Sequence, residues 1–248
     1  MYQFFSVDFS FSNEDLVICL PILCTLFFFA LYWFVAQSQK IKNVFYSRYD
    51  FDKASYRHII FTKFAGLVLM GVFPILTCLV FLKDYSLADY GLTFISSTTF
   101  FSVAWIIALC MLVIPLVYFS AKQEKNWVNY PQIRSKIWTK KMMIMNAVGW
   151  FVYLFGYEFL FRGVLLFPLA DGLGVWPAIA INIALYSATH IPKGLDETIG
   201  AAPLGLVLCI LTLMSGTIWI AFFVHVAMAW TNSFTALKYN PETNYIKS

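Results

Sequence analysis

The chain has 248 residues, 60% of them hydrophobic and only 12% charged, with a mean hydropathy of +0.73 and a formal net charge of +4. Soluble domains have an apolar share nearer one half, so this composition excludes a soluble globular protein and describes a polytopic membrane protein. Nothing in the charge calls for a nucleic-acid partner, and no alternating strand pattern marks an outer-membrane barrel, which leaves an all-α bundle in the lipid bilayer.

At about 20 apolar residues per crossing, helices are predicted near 15–36, 57–82, 97–119, 142–169, 173–190, 200–215 and 217–237. That makes about seven spans, or eight if the long fourth one breaks at Gly149 or Gly156. The segment before the first span is acidic. No Lys or Arg occurs in the first 39 residues, so no basic n-region of a cleaved signal peptide precedes it, and the span is expected to be retained. Loop 37–57 carries Lys40, Lys42, Arg48, Lys53 and Arg57, and loop 120–141 carries Lys122, Lys125, Arg134, Lys136, Lys140 and Lys141. The positive-inside rule puts both in the cytoplasm, the N-terminus outside and the C-terminal tail inside. Aromatic residues among these charges, such as Tyr46 and Trp127, fit anchoring at an anionic leaflet or a substrate-docking surface. The five cysteines lie in apolar runs without C-x-x-C spacing, which indicates neither a disulfide framework nor a thiolate metal site. A compact chain without long hydrophilic loops points to a bacterial inner (plasma) membrane. The one division to be drawn separates an accessory N-terminal part, 1–95, from a core, 97–240, that holds the chemistry.

Within that core the stretch GYEFLFRG, residues 156–163, places Glu158 and Arg162 four positions apart, on one face of a helix. Charges at membrane depth cost at least about 2.5–3.5 kcal/mol each on insertion, so such a pair faces a protein interior or a watery cavity, as part of a site or as a structural bridge. Two of the three histidines, His190 and His225, also fall within or at the end of apolar spans; His58 lies at a loop boundary. A buried carboxylate is a usable general base for water, and imidazoles orient water or stabilise an oxyanion, which together amount to peptide hydrolysis without a covalent intermediate. No cofactor is required for this. The same three residues also form a two-His, one-Glu donor set for Zn²⁺, although no H-E-x-x-H helix accompanies them.

Three separated motifs carry a resemblance: Tyr157, Glu158 and Arg162 with Gly163; Tyr186 followed at the fourth position by His190; and His225. In this order, over roughly 145–240, the chain resembles the CPBP intramembrane proteases, which include the CAAX-prenyl endopeptidases of type II and bacteriocin-processing proteins. Their pattern is E-E-x-x-x-R, F-x-x-x-H and H-x-x-x-N. The resemblance implies a glutamate-dependent endopeptidase acting on a membrane-associated peptide or protein, with Glu158 as the surviving acid, His190 orienting water, His225 stabilising the oxyanion and Arg162 holding Glu158. Two positions depart from the pattern: Tyr157 stands where its first glutamate is expected, and Ala229 where its asparagine is. Asn232, two turns beyond His225, and Glu197, beyond His190, are candidate replacements. The departures also leave open a degenerate member that acts in binding, immunity or scaffolding, and the Glu158–Arg162 pair leaves open a transporter. On a straight fourth helix starting at 142, Glu158 lies about 24 Å along, far from a His190 at the cytoplasmic end of the next span, so the two meet only if that span bends, breaks or starts later.

Overall fold

A computed structural model describes residues 9–246; the first eight residues of the acidic segment and the last two of the tail lie outside it. The protein is an all-α membrane bundle. Among the described residues six helices are long and apolar enough to cross a membrane, and one apolar helix is shorter. They are α1 (Asn13–Gln37), continued at the surface by α2 (Gln39–Tyr46); α3 (Phe51–Leu67), running through a π-helical stretch into α4 (Phe73–Phe81); α5 (Ser96–Ala121); α6 (Lys140–Glu158), running through a second π-helical stretch into α7 (Phe167–Leu173); α8 (Val175–Ala188); α9 (Leu195–Ser215); and α10 (Trp219–Tyr239). A two-residue strand β1 (Ile137–Trp138) pairs in parallel with β2 (Asn244–Tyr245), which ties the C-terminal tail to the start of α6.

The seven apolar helices match the seven predicted spans, and the fourth does not break. Its hydrogen-bond pattern instead widens from Phe159 to Leu166 and closes again into α7. Single-turn π-bulges of this kind are common at functional sites, and here the widening extends over eight residues. Glycines set the crossing with the other π-helical stretch: a Cβ on Gly156 would lie 3.0 Å from both the Gly66 carbonyl and Leu67 Cα, and one on Gly71 would lie 3.3 Å from Gly156 Cα. Only glycine lets these two backbones approach so closely.

At one end of the bundle the loop between α5 and α6 is fastened to α3. Asp52 accepts from the Lys136 and Ile137 amides (3.1 Å each), and Ser55 Oγ accepts from the Arg134 amide (2.7 Å). The Arg134 guanidinium in turn donates to the Trp127 and Val128 carbonyls; burial lowers its pKa, yet a guanidinium stays charged. At the other end the 82–95 loop is held by Trp219 Nε1–H on the Thr93 carbonyl (2.8 Å) and by the Tyr85 hydroxyl on Asp171.

Gly174, at φ +83°, makes the turn from α7 into α8. Glu158 lies 16 residues before that turn and His190 lies 16 residues after it, so the antiparallel pair brings the two to one level. The expected depth mismatch arises from treating 173–190 as a full crossing. At 14 residues, or about 21 Å, α8 is shorter than the roughly 30 Å of hydrocarbon.

Candidate active site

Glu158 closes α6, and Arg162 follows it within the π-helical stretch, so sequence spacing alone sets them side by side. Arg162 Nε stands 3.7 Å from Glu158 Oε2, and neither side chain has any exposed surface. Arg162 Nη1 also donates to Asn182 Oδ1 of α8 (3.3 Å), while Asn182 Nδ2 donates to the Phe161 carbonyl (2.6 Å) and Cys209 Sγ of α9 donates to Asn182 Oδ1 (3.2 Å). A buried ion pair is sustained when further hydrogen bonds hold its members; Asn182 of α8, braced by Cys209 of α9, bonds the arginine, and one such bond reaches the carboxylate from α10. Asn182 and Cys209 escaped the sequence reading; an amide inside the apolar run of α8 was the available signal.

His225, from the middle of α10, reaches the same carboxylate: its Nδ1 bonds Glu158 Oε1. A carboxylate paired with Arg162 accepts only, so Nδ1 carries a proton. On the other side of the ring, Nε2 is 2.9 Å from the Tyr186 hydroxyl. Tyr186 is itself capped by the Arg162 guanidinium, whose Cζ lies 4.4 Å from the phenol ring centre.

His190 is placed by the end of α8. The last carbonyls of a helix lack intrahelical donors, and the Tyr186 carbonyl receives three from beyond it: the Thr189 amide (3.2 Å), Thr189 Oγ1–H (2.7 Å) and His190 Nδ1–H (3.0 Å). With Nδ1 donating to a carbonyl, the basic lone pair of His190 is on Nε2. The two rings of His190 and Tyr186 are 4.8 Å apart. Tyr157 donates its hydroxyl to Thr189 Oγ1 (2.7 Å), because the single proton of that threonine is already given to the carbonyl.

A cavity of about 1000 Å³ runs from the loop that carries Asn126, Asn129 and Gln132 inward to Tyr157, Tyr186, His190 and His225. Glu197, Ala229 and Asn232 also line it, as do Phe29, Tyr32 and Thr62 from α1 and α3, so the N-terminal helices build part of the wall. Glu158 does not line it; the carboxylate lies behind His225, with Tyr157 on the cavity side. His58 is inside α3 rather than at its edge and packs on Phe45 and Tyr46 of α2. Among the described residues no three His, Cys, Asp or Glu side chains are placed to hold a metal ion. Glu158 and His225 spend their facing atoms on each other, so the two-His, one-Glu set as arranged does not fit Zn²⁺.

Residues 139–231 match the family model for Rce1-like type II CAAX prenyl endopeptidases. The match covers more than a third of the chain and bears out the CPBP resemblance. Glu158, Arg162, His190 and His225 all lie in this CPBP-like segment, whereas Asn232 falls one residue beyond it. No curated protein and no solved structure matches the chain.

Proposed function

We propose that the protein is an intramembrane endopeptidase that hydrolyses a membrane-associated peptide or protein by direct attack of water. The observation that carries this reading is the pair of imidazoles at the inner end of one cavity, each with its Nδ1 engaged from behind, inside the CPBP-like segment. His190 Nε2 takes a proton from water as the oxygen attacks the scissile carbonyl, and returns it to the leaving amine. His225 stands on the oxyanion side. Glu158 acts through His225: it orients the ring and balances its charge when protonated, so the dependence on glutamate is indirect. Arg162 holds Glu158 in that geometry.

The cavity mouth shares its end of the bundle with the basic loops, which the positive-inside rule assigns to the cytoplasm. Substrate then enters from the cytoplasmic side, with the N-terminus outside and the C-terminus inside. Cysteine labelling at Phe9 and Asn240 positions in intact cells tests the orientation; reaction of a Phe9→Cys variant with an impermeant reagent is expected.

One observation favours a second reading, a peptide-binding protein without turnover: the cavity presents Tyr157 where the family pattern has a carboxylate. Turnover of quenched-fluorescent peptides with CAAX termini, with and without a prenyl group, separates the two. Cleavage by the unaltered protein, lost in His190→Gln, supports the peptidase. Peptide binding without cleavage, with cleavage gained in Tyr157→Glu, supports the second reading.

A further inference from the structure

The Tyr186 hydroxyl is an atom that the three-motif pattern does not ask for, since that position is phenylalanine in the pattern. Tyr186 lines the cavity; its hydroxyl lies 2.9 Å from His225 Nε2, and its ring packs against the Arg162 guanidinium and the His190 imidazole. Its direction of donation follows from His225. When the imidazole is neutral, its proton is on Nδ1 toward Glu158, Nε2 is an acceptor, and the Tyr186 O–H points inward to it. In that state His225 has no donor to offer an oxyanion. When the imidazole carries a second proton, Nε2–H donates to the Tyr186 oxygen and the phenolic O–H turns to the cavity. The chain of donors then runs from Glu158 through His225 to a hydroxyl facing the substrate.

We infer that Tyr186 is a catalytic residue whose hydroxyl, backed by the protonated His225, donates the hydrogen bond that holds the oxyanion. The inference rests on the peptidase reading and assigns a role inside it. In the step, the water oxygen bonds the carbonyl carbon, the water proton moves to His190 Nε2, and the carbonyl π electrons become the oxyanion facing Tyr186 O–H. As the carbonyl reforms, the C–N bond breaks and the amine leaves with the proton from His190. Tyr186 and His225 exchange no proton with the substrate. Ala229, one turn beyond His225, brings no side-chain donor to the cavity.

Tyr186→Phe removes the hydroxyl and keeps the ring. Loss of one oxyanion donor typically lowers kcat by about 10²–10³-fold, and that loss is expected here with KM little changed, on a quenched-fluorescent CAAX peptide. Adding Ala229→Asn to Tyr186→Phe is expected to restore part of kcat, which a merely structural tyrosine would not allow. A phosphonamidate analogue of the same peptide, a tetrahedral anion, is expected to bind the unaltered protein more tightly than the peptide does, and Tyr186→Phe is expected to abolish that preference alone. If Tyr186→Phe does not fold, 3-fluorotyrosine at 186 keeps the shape and strengthens the donor; tighter phosphonamidate binding is then expected. Unchanged kcat in a folded Tyr186→Phe protein, or an unchanged preference for the phosphonamidate in either variant, overturns the assignment. An unaltered protein that prefers the phosphonamidate yet cleaves nothing contradicts the peptidase reading instead.

Discussion

Replacing Glu158 by glutamine is expected to damage both stability and turnover, and the structure separates the two effects. The carboxylate is fully buried, 3.7 Å from Arg162 Nε, and also accepts from His225. Glutamine keeps an acceptor for His225 but removes the charge, leaving the Arg162 cation with the Asn182 amide oxygen at 3.3 Å as its remaining polar partner across the helix pair. Removing one member of a buried ion pair costs about 3–5 kcal/mol. For a domain of this size that corresponds to a fall in apparent Tm on the order of 10 °C. Adding Arg162→Leu removes the stranded cation as well and is expected to recover at least half of the lost stability. Turnover is not expected to return, because His225 still lacks its counter-charge; a deficit of at least about 10²-fold is anticipated for both proteins. The assay pairs thermal unfolding in lipid nanodiscs with single-turnover peptide cleavage. A Glu158→Gln protein that melts within a degree or two of the unaltered one and cleaves at the same rate would refute the reasoning.

Other expected outcomes test the scaffold and the donor set. Gly156→Ala places a methyl 3.0 Å from two backbone atoms of α3 and is expected to lower stability by about 1–3 kcal/mol. Gly200→Ala, on a cavity-lining helix with open space around it, serves as the control and is expected to be neutral or slightly stabilising, both read by thermal unfolding. Asn182→Leu strips donors or acceptors from Phe161, Arg162 and Cys209 at once; a loss of about 1–3 kcal/mol follows, and hydrogen exchange should rise in the π-helical stretch. Because His225 Nδ1 bonds Glu158 and His190 Nδ1 bonds a carbonyl, prior incubation with a chelator is expected to leave peptide cleavage unchanged; loss of cleavage reversed by added zinc would contradict this donor arrangement.

Much of the bundle was legible because lipid imposes long apolar runs: α5 and α10 fall within a few residues of their predicted bounds, and the basic loops mark one end. The Glu158–Arg162 pair was legible from its four-residue spacing, and His190 and His225 from their rarity among apolar residues. Depth was not. Whether Glu158 and His190 share a level depends on where the chain turns at Gly174 and on how short α8 is, and hydropathy alone does not fix where a helix begins and ends within an apolar run. The position of Glu158 was likewise hidden, since a helix-face argument puts it near the site but cannot say that His225 and Tyr157 come between it and the cavity. Tyr186 read as part of a spacing motif, and only the position of α10 gives its hydroxyl a partner. The part played by Phe29, Tyr32 and Thr62 in the cavity wall is tertiary information that no local pattern in 1–95 contains.

The most direct measurement is single-turnover cleavage of quenched-fluorescent peptides bearing CAAX termini, prenylated and unprenylated, by the unaltered protein and by His190→Gln in proteoliposomes, with peptide affinity measured on both. The expected result is cleavage by the unaltered protein, a fall of at least about 10²-fold in His190→Gln, and equal affinity. Equal cleavage rates in the two proteins would contradict water activation by His190, and tight peptide binding by the unaltered protein without any cleavage would contradict the peptidase reading itself.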